Sequence, residues 1–264
     1  MMRIMREVRF SLVPADRVRP EITNSWAGWP GSGPLAPHLA LRALVGGPVD
    51  PKTGYLVNIA LIDRVLRERA LPLLQRRLAE AGARPLHPAG LMRPLWTAVV
   101  EGLAGFSVQK LELRPTPHLR FGIAAGGLSM VTMTQSFEFA AAHRLHVPEL
   151  SEEENRRIFG KCTNPNGHGH NYLLEVTVAG EPDPASGTLM DLPEFEAVVK
   201  QRVIDRFDHQ HLNADCVEFV RLNPTVENIT RVVWELLVGA FDRSRLHAVR
   251  VWETPKTFAE YRGE

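Results

Sequence analysis

The stretch Cys162-Thr-Asn-Pro-Asn-Gly-His168-Gly-His170-Asn-Tyr172-Leu-Leu-Glu-Val-Thr-Val-Ala179 decides how this chain is read. Its second half alternates apolar and polar residues, the pattern of a strand with one face covered. Residues two apart on a strand share a face, so His168 and His170 present their imidazoles on the same side. A second alternating run, Phe137-Glu-Phe139-Ala-Ala141-Ala-His143, ends in a third histidine on the face of Phe137, Phe139 and Ala141. If the two strands pair, three imidazoles converge. Three neutral imidazoles with an open fourth position are a catalytic zinc set. Cys162, just upstream, is a candidate thiolate base or nucleophile. Each piece alone has an ordinary explanation, since lone histidines and cysteines are commonly packed side chains. It is their coincidence that points to a site.

Outside this stretch the chain is unremarkable in composition. It has 264 residues, is 44% hydrophobic and 23% charged, and carries a formal net charge of +1. This is globular composition with room for two domains. The near-neutral balance argues against nucleic acid as the main partner. Two cysteines, Cys162 and Cys216, make no disulfide framework, so the expected location is a reducing cytoplasm. No apolar run is long enough to span a bilayer, and residues 1–10 lack the apolar core of a secretory signal.

The chain also reads as one unit written twice. Gly47-Pro-Val-Asp-Pro-Lys-Thr-Gly54-Tyr-Leu-Val-Asn58 matches Gly180-Glu-Pro-Asp-Pro-Ala-Ser-Gly187-Thr-Leu-Met-Asp191, 133 residues on. Each copy reads as a strand end, a turn rich in Asp, Pro and Gly, and the start of a helix. Val8–Leu12 matches Gln135–Phe139, Arg93-Pro94 matches Asn223-Pro224, and Leu111–Pro117 matches Val249–Pro255. The period is too long for a solenoid and indicates duplicated domains, 1–128 and 129–264, with Gly122–Gly127 at the boundary. The first copy lacks the chemistry. Leu35 and Pro37 stand opposite His168 and His170, Trp29 opposite Cys162, Asp16 opposite His143, Thr97 opposite Glu227 and Pro115 opposite Glu253. Asn24–Pro34 is a Gly-, Pro- and Trp-rich loop.

In the second copy, residues 133–143 and 169–180 are predicted strands. Ser151-Glu-Glu-Glu154 is a capping box for a short helix. Asp191-Leu-Pro-Glu194 opens a second helix, and Asn223-Pro224, with Asn as N-cap, opens a third. Runs from His247 and from Thr257 close the unit as a hairpin. The order ββ, helices, ββ predicts an α+β fold with antiparallel sheets and helices on one face.

Residues 134–264 resemble the 6-pyruvoyl-tetrahydropterin synthase family, which includes the bacterial 6-carboxytetrahydropterin synthases. The resemblance is carried by Phe139–Leu145, Gly160–Tyr172, Phe207-Asp208-His209-Gln-His-Leu-Asn213, Asn223–Asn228, Trp252-Glu253-Thr254 and Tyr261–Glu264. It implies the tunnelling fold, in which ββααββ units assemble into a barrel, here from two tandem units per chain. It implies Zn²⁺ held by His143, His168 and His170, and a catalytic thiol at Cys162. Asp208 and His209 resemble the acid–histidine pair that completes a proton relay from a neighbouring subunit. Glu253 resembles the carboxylate that grips the pterin ring, and Thr225 and Glu227 resemble further pocket residues. Phe207 departs from the more usual Leu.

The implied activity is that of a carbon–oxygen lyase acting on 7,8-dihydroneopterin triphosphate with loss of triphosphate. Zinc would polarise the side-chain diol, Cys162 would act as a base of lowered pKa near Lys161, and His209 would return a proton. Lys161 and Arg144 are candidate triphosphate contacts. Five residues separate Cys162 from His168, a spacing that resembles the pyruvoyl-forming branch. The alternatives are 6-carboxy-5,6,7,8-tetrahydropterin synthase and a zinc- and pterin-binding protein without turnover. The expected assembly is a homo-oligomer, a trimer or a multiple of one, with the first unit structural.

Overall fold

A computed structural model describes residues 2–12, 36–82 and 84–264. Asp16, Trp29, Leu35 and the loop Asn24–Pro34, which figured in the repeat, lie outside the described residues. The structure divides into two compact units, residues 1–133 with 180–189, and residues 134–179 with 190–264.

In the N-terminal unit, strands β1 (Met2–Ser11), β2 (His38–Gly47), β3 (Ser107–Thr116) and β4 (Leu119–Ala124) form an antiparallel meander. Helices α1 (Ile59–Val65), α2 (Leu71–Ala81) and α3 (Pro88–Gly102) follow β2, with a π turn at Leu66–Ala70 joining the first two. α3 packs on β3 and β4, and α1 on β1. Val8, Phe10, Leu41, Ala43, Leu111, Leu113, Phe121 and Ile123 alternate along the strands and are buried. Burying one such large side chain contributes about 1.5–3 kcal/mol. The residues between them, including Glu7, Arg42 and Glu112, lie on the helix-free face.

The C-terminal unit also pairs its long strands in the order of the chain. Strand β5 (Val131–His143) neighbours β6 (His168–Gly180), and β6 pairs antiparallel with β8 (Arg245–Thr254), which pairs with β9 (Thr257–Tyr261). The two-residue β7 (Gln210–His211) runs parallel to the end of β5. Helices α4 (Glu152–Phe159), α5 (Leu192–Val199), α6 (Asp205–Phe207), α7 (Leu212–Asp215) and α8 (Val226–Leu237) fill the connections. α8 packs on β8 and β9. The architecture is α+β, with antiparallel sheets and helices. No helix among the described residues is long and apolar enough to cross a membrane.

Strand register agrees in detail between the units. Leu41↔Leu113 and Arg42↔Glu112 in the first have the counterparts Leu174↔Val251 and Glu175↔Arg250 in the second. A register shift falls at Leu44/Val45 and again at Thr177/Val178. In the closing hairpins, Leu111↔Ile123 and Val249↔Tyr261 are offset by 138. The turn after the second strand is also the same. Gly54 N–H bonds Asp50 O and Gly187 N–H bonds Asp183 O, each at 2.8 Å. Both glycines have positive φ, 73° and 75°, which a side chain would oppose.

Local signals were accurate at most helix starts. Ser151 and Glu154 make both bonds of the capping box, and Asp191 caps α5 through Glu194 N–H. The third helix differs from expectation. Its N-cap is Thr225, whose hydroxyl accepts from Asn228 N–H at 3.3 Å, so Asn223 and Pro224 precede it. This also corrects one pairing in the repeat. α3 begins at Pro88 and α8 at Val226, which sets Ala89, not Thr97, level with Glu227. Pro94 is inside α3, so it is no counterpart of Pro224.

Candidate metal centre and active site

β5 ends at His143 and β6 begins at His168, so the strand pair delivers its three histidines at one end of the sheet. The imidazole centroids lie 4.6 Å (His143–His168), 4.8 Å (His168–His170) and 5.2 Å (His143–His170) apart. One ring nitrogen of each lies within 4.8 Å of the others. His143 is fully buried, and the Pro224 carbonyl accepts from its Nδ1–H at 2.7 Å. That bond leaves the Nε2 lone pair of His143 facing inward, 3.2 Å from Nε2 of His168.

These residues fit a metal ion. His170 Nε2 and His168 Nδ1 are buried without a hydrogen-bond partner among the described residues, a costly state that a cation at the centre relieves for the inward nitrogen. His143 and His170 are biased toward the neutral form that a ligand needs. Burial, reinforced by the neighbouring histidines and opposed by the Pro224 carbonyl, lowers His143 to about 4. Burial also lowers His170. The Glu253 carboxylate closes the group, 3.5 Å from His143 Nε2 and 3.7 Å from His170 Nε2.

The loop before β6 has a steric requirement for glycine. Gly167 has φ 69°, and a Cβ there would stand 2.8 Å from both the His143 carbonyl and His211 Nε2. Cys162 is half-buried in a 3-10 turn, Gly160–Thr163, tied down by Leu145 N–H to its carbonyl at 2.8 Å. Burial and the charge of Glu253 push its thiol up, the opposite of the lowered value a resting thiolate needs. Arg144 is committed to the same loop, donating to Thr163 O at 3.0 Å, and Lys161 is exposed.

Asp208 accepts from Ala140 N–H at 2.8 Å through one oxygen and holds His209 Nδ1 at 2.9 Å with the other. The Ala140 bond and His209 keep Asp208 below the usual carboxylate range. His209 has φ 58° and a side chain 82% exposed. His170 and His209 line one open cavity of about 650 Å³ with Asn171, Gln210 and His211. Thr225 is occupied as the N-cap of α8, and Glu227 is exposed in its first turn.

Sequence reasoning missed three contributors. Pro224 acts through a backbone carbonyl and left no signal. Tyr172 continues the His168–His170 face, stacks on Phe139 at 4.9 Å and places its hydroxyl 3.4 Å from His143 Nδ1; the alternation could have found it. Asn213 holds both backbone groups of Arg144, at 2.8 and 3.0 Å, fixing the chain just after His143.

The second half of the chain is similar to proteins of known family. The 6-pyruvoyl tetrahydrobiopterin synthase of Poecilia reticulata is 39% identical over 137 residues, covering 52% of this chain and 92% of that protein. The Haemophilus influenzae 6-carboxy-5,6,7,8-tetrahydropterin synthase is 26% identical over 153 residues, covering 50% and 99%. The solved structure of Caenorhabditis elegans 6-pyruvoyl tetrahydropterin synthase shares 41% identity, covering 51% of this chain and 96% of that one, with a TM-score of 0.49. The model of the 6-pyruvoyl tetrahydropterin synthase family matches residues 132–264, and the chain belongs to that family.

Proposed function

We propose that the protein is a zinc-dependent 6-pyruvoyl-tetrahydropterin synthase, a lyase that acts on 7,8-dihydroneopterin triphosphate and releases triphosphate. The observation that carries this reading is the convergence of His143, His168 and His170 beside Glu253, within the segment that matches the family. Bound at the three imidazoles, Zn²⁺ would supply Lewis acidity to the substrate's diol and positive charge near Cys162. Cys162 is the base that removes a carbon-bound proton. Burial and Glu253 push its thiol up, so a positive charge at the three imidazoles would favour the thiolate that this role needs. His209, oriented by Asp208, delivers a proton at the second carbon; its exposure suits it to a site completed by a neighbouring subunit. Glu253 can accept the paired N–H groups of a pterin edge. Thr225 and Glu227 complete the proposed pocket, Thr225 chiefly by fixing α8 and with it the Pro224 carbonyl.

The first unit, residues 1–128, is proposed as a degenerate tandem copy of residues 129–264. Support comes from the matching registers, register shifts and Asp–Gly turns. In this reading the first unit takes the place of a second subunit in a tunnelling-fold barrel, closed by three chains or a multiple of three. Light scattering of the purified protein tests that stoichiometry.

The activity is tested by incubating zinc-loaded protein with 7,8-dihydroneopterin triphosphate and resolving products by mass spectrometry, with Cys162→Ala in parallel. A pyruvoyl-pterin absent from the variant is the expected result. The spacing of Cys162 from His168 and the higher identity to the pyruvoyl-named relative favour it. Carboxypterin with acetaldehyde would assign the other branch, and zinc and pterin binding without turnover would make the chain a binding protein.

A further inference from the structure

The helix-free face of the N-terminal unit holds a second concentration of charge, unrelated to the histidine site. Glu7 and Arg9 on β1, His38 and Arg42 on β2 and Arg114 on β3 line a cavity of about 370 Å³. Strand register brings them together: Arg9 stands opposite Ala40, and Ala40 opposite Arg114. Two carboxylates are shared among four cations. Glu7 is bonded by Arg42 at 2.5 Å and Arg9 at 2.7 Å. Glu112, nearly buried beneath them, lies 3.1 Å from Lys110, 3.7 Å from Arg42 and 3.8 Å from Arg114. Arg114 also donates to Pro117 O at 3.0 Å, which fixes its guanidinium at the rim. Burial, then the charge of Arg42, lowers Arg114 from its ordinary value against the opposing pull of Glu112.

The arrangement is peculiar to this unit. At the same register in the C-terminal unit, Glu175 occupies the place of Arg42, Arg250 that of Glu112 and Trp252 that of Arg114. There Arg250 lies between two carboxylates, Glu175 at 3.4 Å and Glu260 at 2.5 Å, and Arg262 shares Glu260 at 2.8 Å, so the cations do not outnumber the carboxylates. The basic cavity is therefore not a by-product of the sheet.

We infer that this cavity is an anion site for a small polyphosphate, gripped by the forked guanidinium groups of Arg42 and Arg114 with Arg9 beside them. Guanidinium forks match phosphate oxygens in pairs. The side chains of Arg42 and Arg114 remain 34% and 20% exposed, so their heads are reachable from solvent while their stems are packed. Neither a metal nor the histidine site takes part.

Titration calorimetry of the full chain with sodium triphosphate tests the site, with orthophosphate and ATP as further arms. Triphosphate is expected to bind with an affinity that falls as salt rises. Arg42→Gln and Arg114→Gln should each weaken it at least about tenfold, the loss of a charge-assisted pair. His168→Ala should leave it unchanged, which separates this site from the histidine centre. Arg42→Lys keeps the charge but not the fork and should also weaken binding; its unchanged thermal melt guards against a folding defect. Tighter binding of ATP than of triphosphate, with the same arginine dependence, identifies the tail of a phosphorylated metabolite as the ligand; the reverse identifies a free polyphosphate. No triphosphate binding, or binding that Arg42→Gln and Arg114→Gln leave intact, overturns the inference.

Discussion

The Pro224 carbonyl accepts the Nδ1–H of His143 at 2.7 Å, across 81 positions of sequence. This bond selects the tautomer that turns Nε2 toward His168 and His170. A ligand held in this way needs little reorganisation to bind an ion. His143→Ala is expected to lower metal affinity by more than about 100-fold, since even loss of an orienting partner costs 10–100-fold. Metal content after dialysis against a graded chelator series measures it. Retention of a full equivalent of metal by the variant would remove His143 from the ligand set.

His209 is the one non-glycine residue with positive φ among the described residues, at 58°. The conformation is imposed by its neighbours: its N–H bonds Ala140 O at 2.6 Å and Asp208 anchors Ala140 N–H. A left-handed conformation costs a non-glycine residue about 1–2 kcal/mol. His209→Gly is therefore expected to be more stable than His209→Ala by about 1 kcal/mol in urea unfolding, while both lose turnover. Equal stability of the two variants would show that no strain is held there. A catalytic loss in both, with stability moving in opposite directions, separates the side chain's role from the backbone's.

Much of the site was legible because alternation fixes which side chains share a face. His143, His168 and His170 were brought together by parity and by the pairing of two strands, with no need of exact register. The Ser151 capping box was legible because both partners lie within one turn. The start of α8 was not, since Asn223 and Thr225 both satisfy N-cap chemistry and Pro224 suited the first position after Asn223. Tertiary demand decided it: Pro224 is used by His143, and Asn223 Oδ1 accepts from His146 N–H at 3.3 Å. The π turns at Leu66–Ala70 and Lys200–Ile204 were also hidden, because one extra residue shifts a helical stripe too little to break its pattern. The raised thiol of Cys162 could not be read, because it depends on burial and on Glu253, 91 positions away.

Glu7 carries a pH dependence of stability. Burial raises its pKa, but hydrogen bonds from Arg42 and Arg9 outweigh this and leave it below the usual value. A carboxylate depressed in the folded state stabilises above its unfolded pKa, and that contribution is lost as pH falls through the folded value. Wild type is therefore expected to melt higher than Glu7→Gln at pH 7, with the gap closing below about pH 4. Melting curves across pH 3–7 check this. A gap that persists unchanged at pH 3 would assign the difference to packing.

Phe207 fills a site that any apolar side chain of similar bulk can serve. The ring is wholly buried, with centroids 6.2 Å from Phe139 and 5.7 Å from Phe219. Phe139 in turn stacks on Tyr172, whose hydroxyl approaches His143. A cavity at residue 207 would thus loosen the wall behind the three clustered histidines as well as the core. Phe207→Ala is expected to cost about 3–5 kcal/mol, and Phe207→Leu less than about 1.5 kcal/mol, since it keeps an apolar, branched filler. Denaturant unfolding gives both values, and metal affinity measured alongside tests the link to the site. If Phe207→Ala loses stability with no change in metal affinity, the Phe139–Tyr172 stack holds the histidines without support from residue 207.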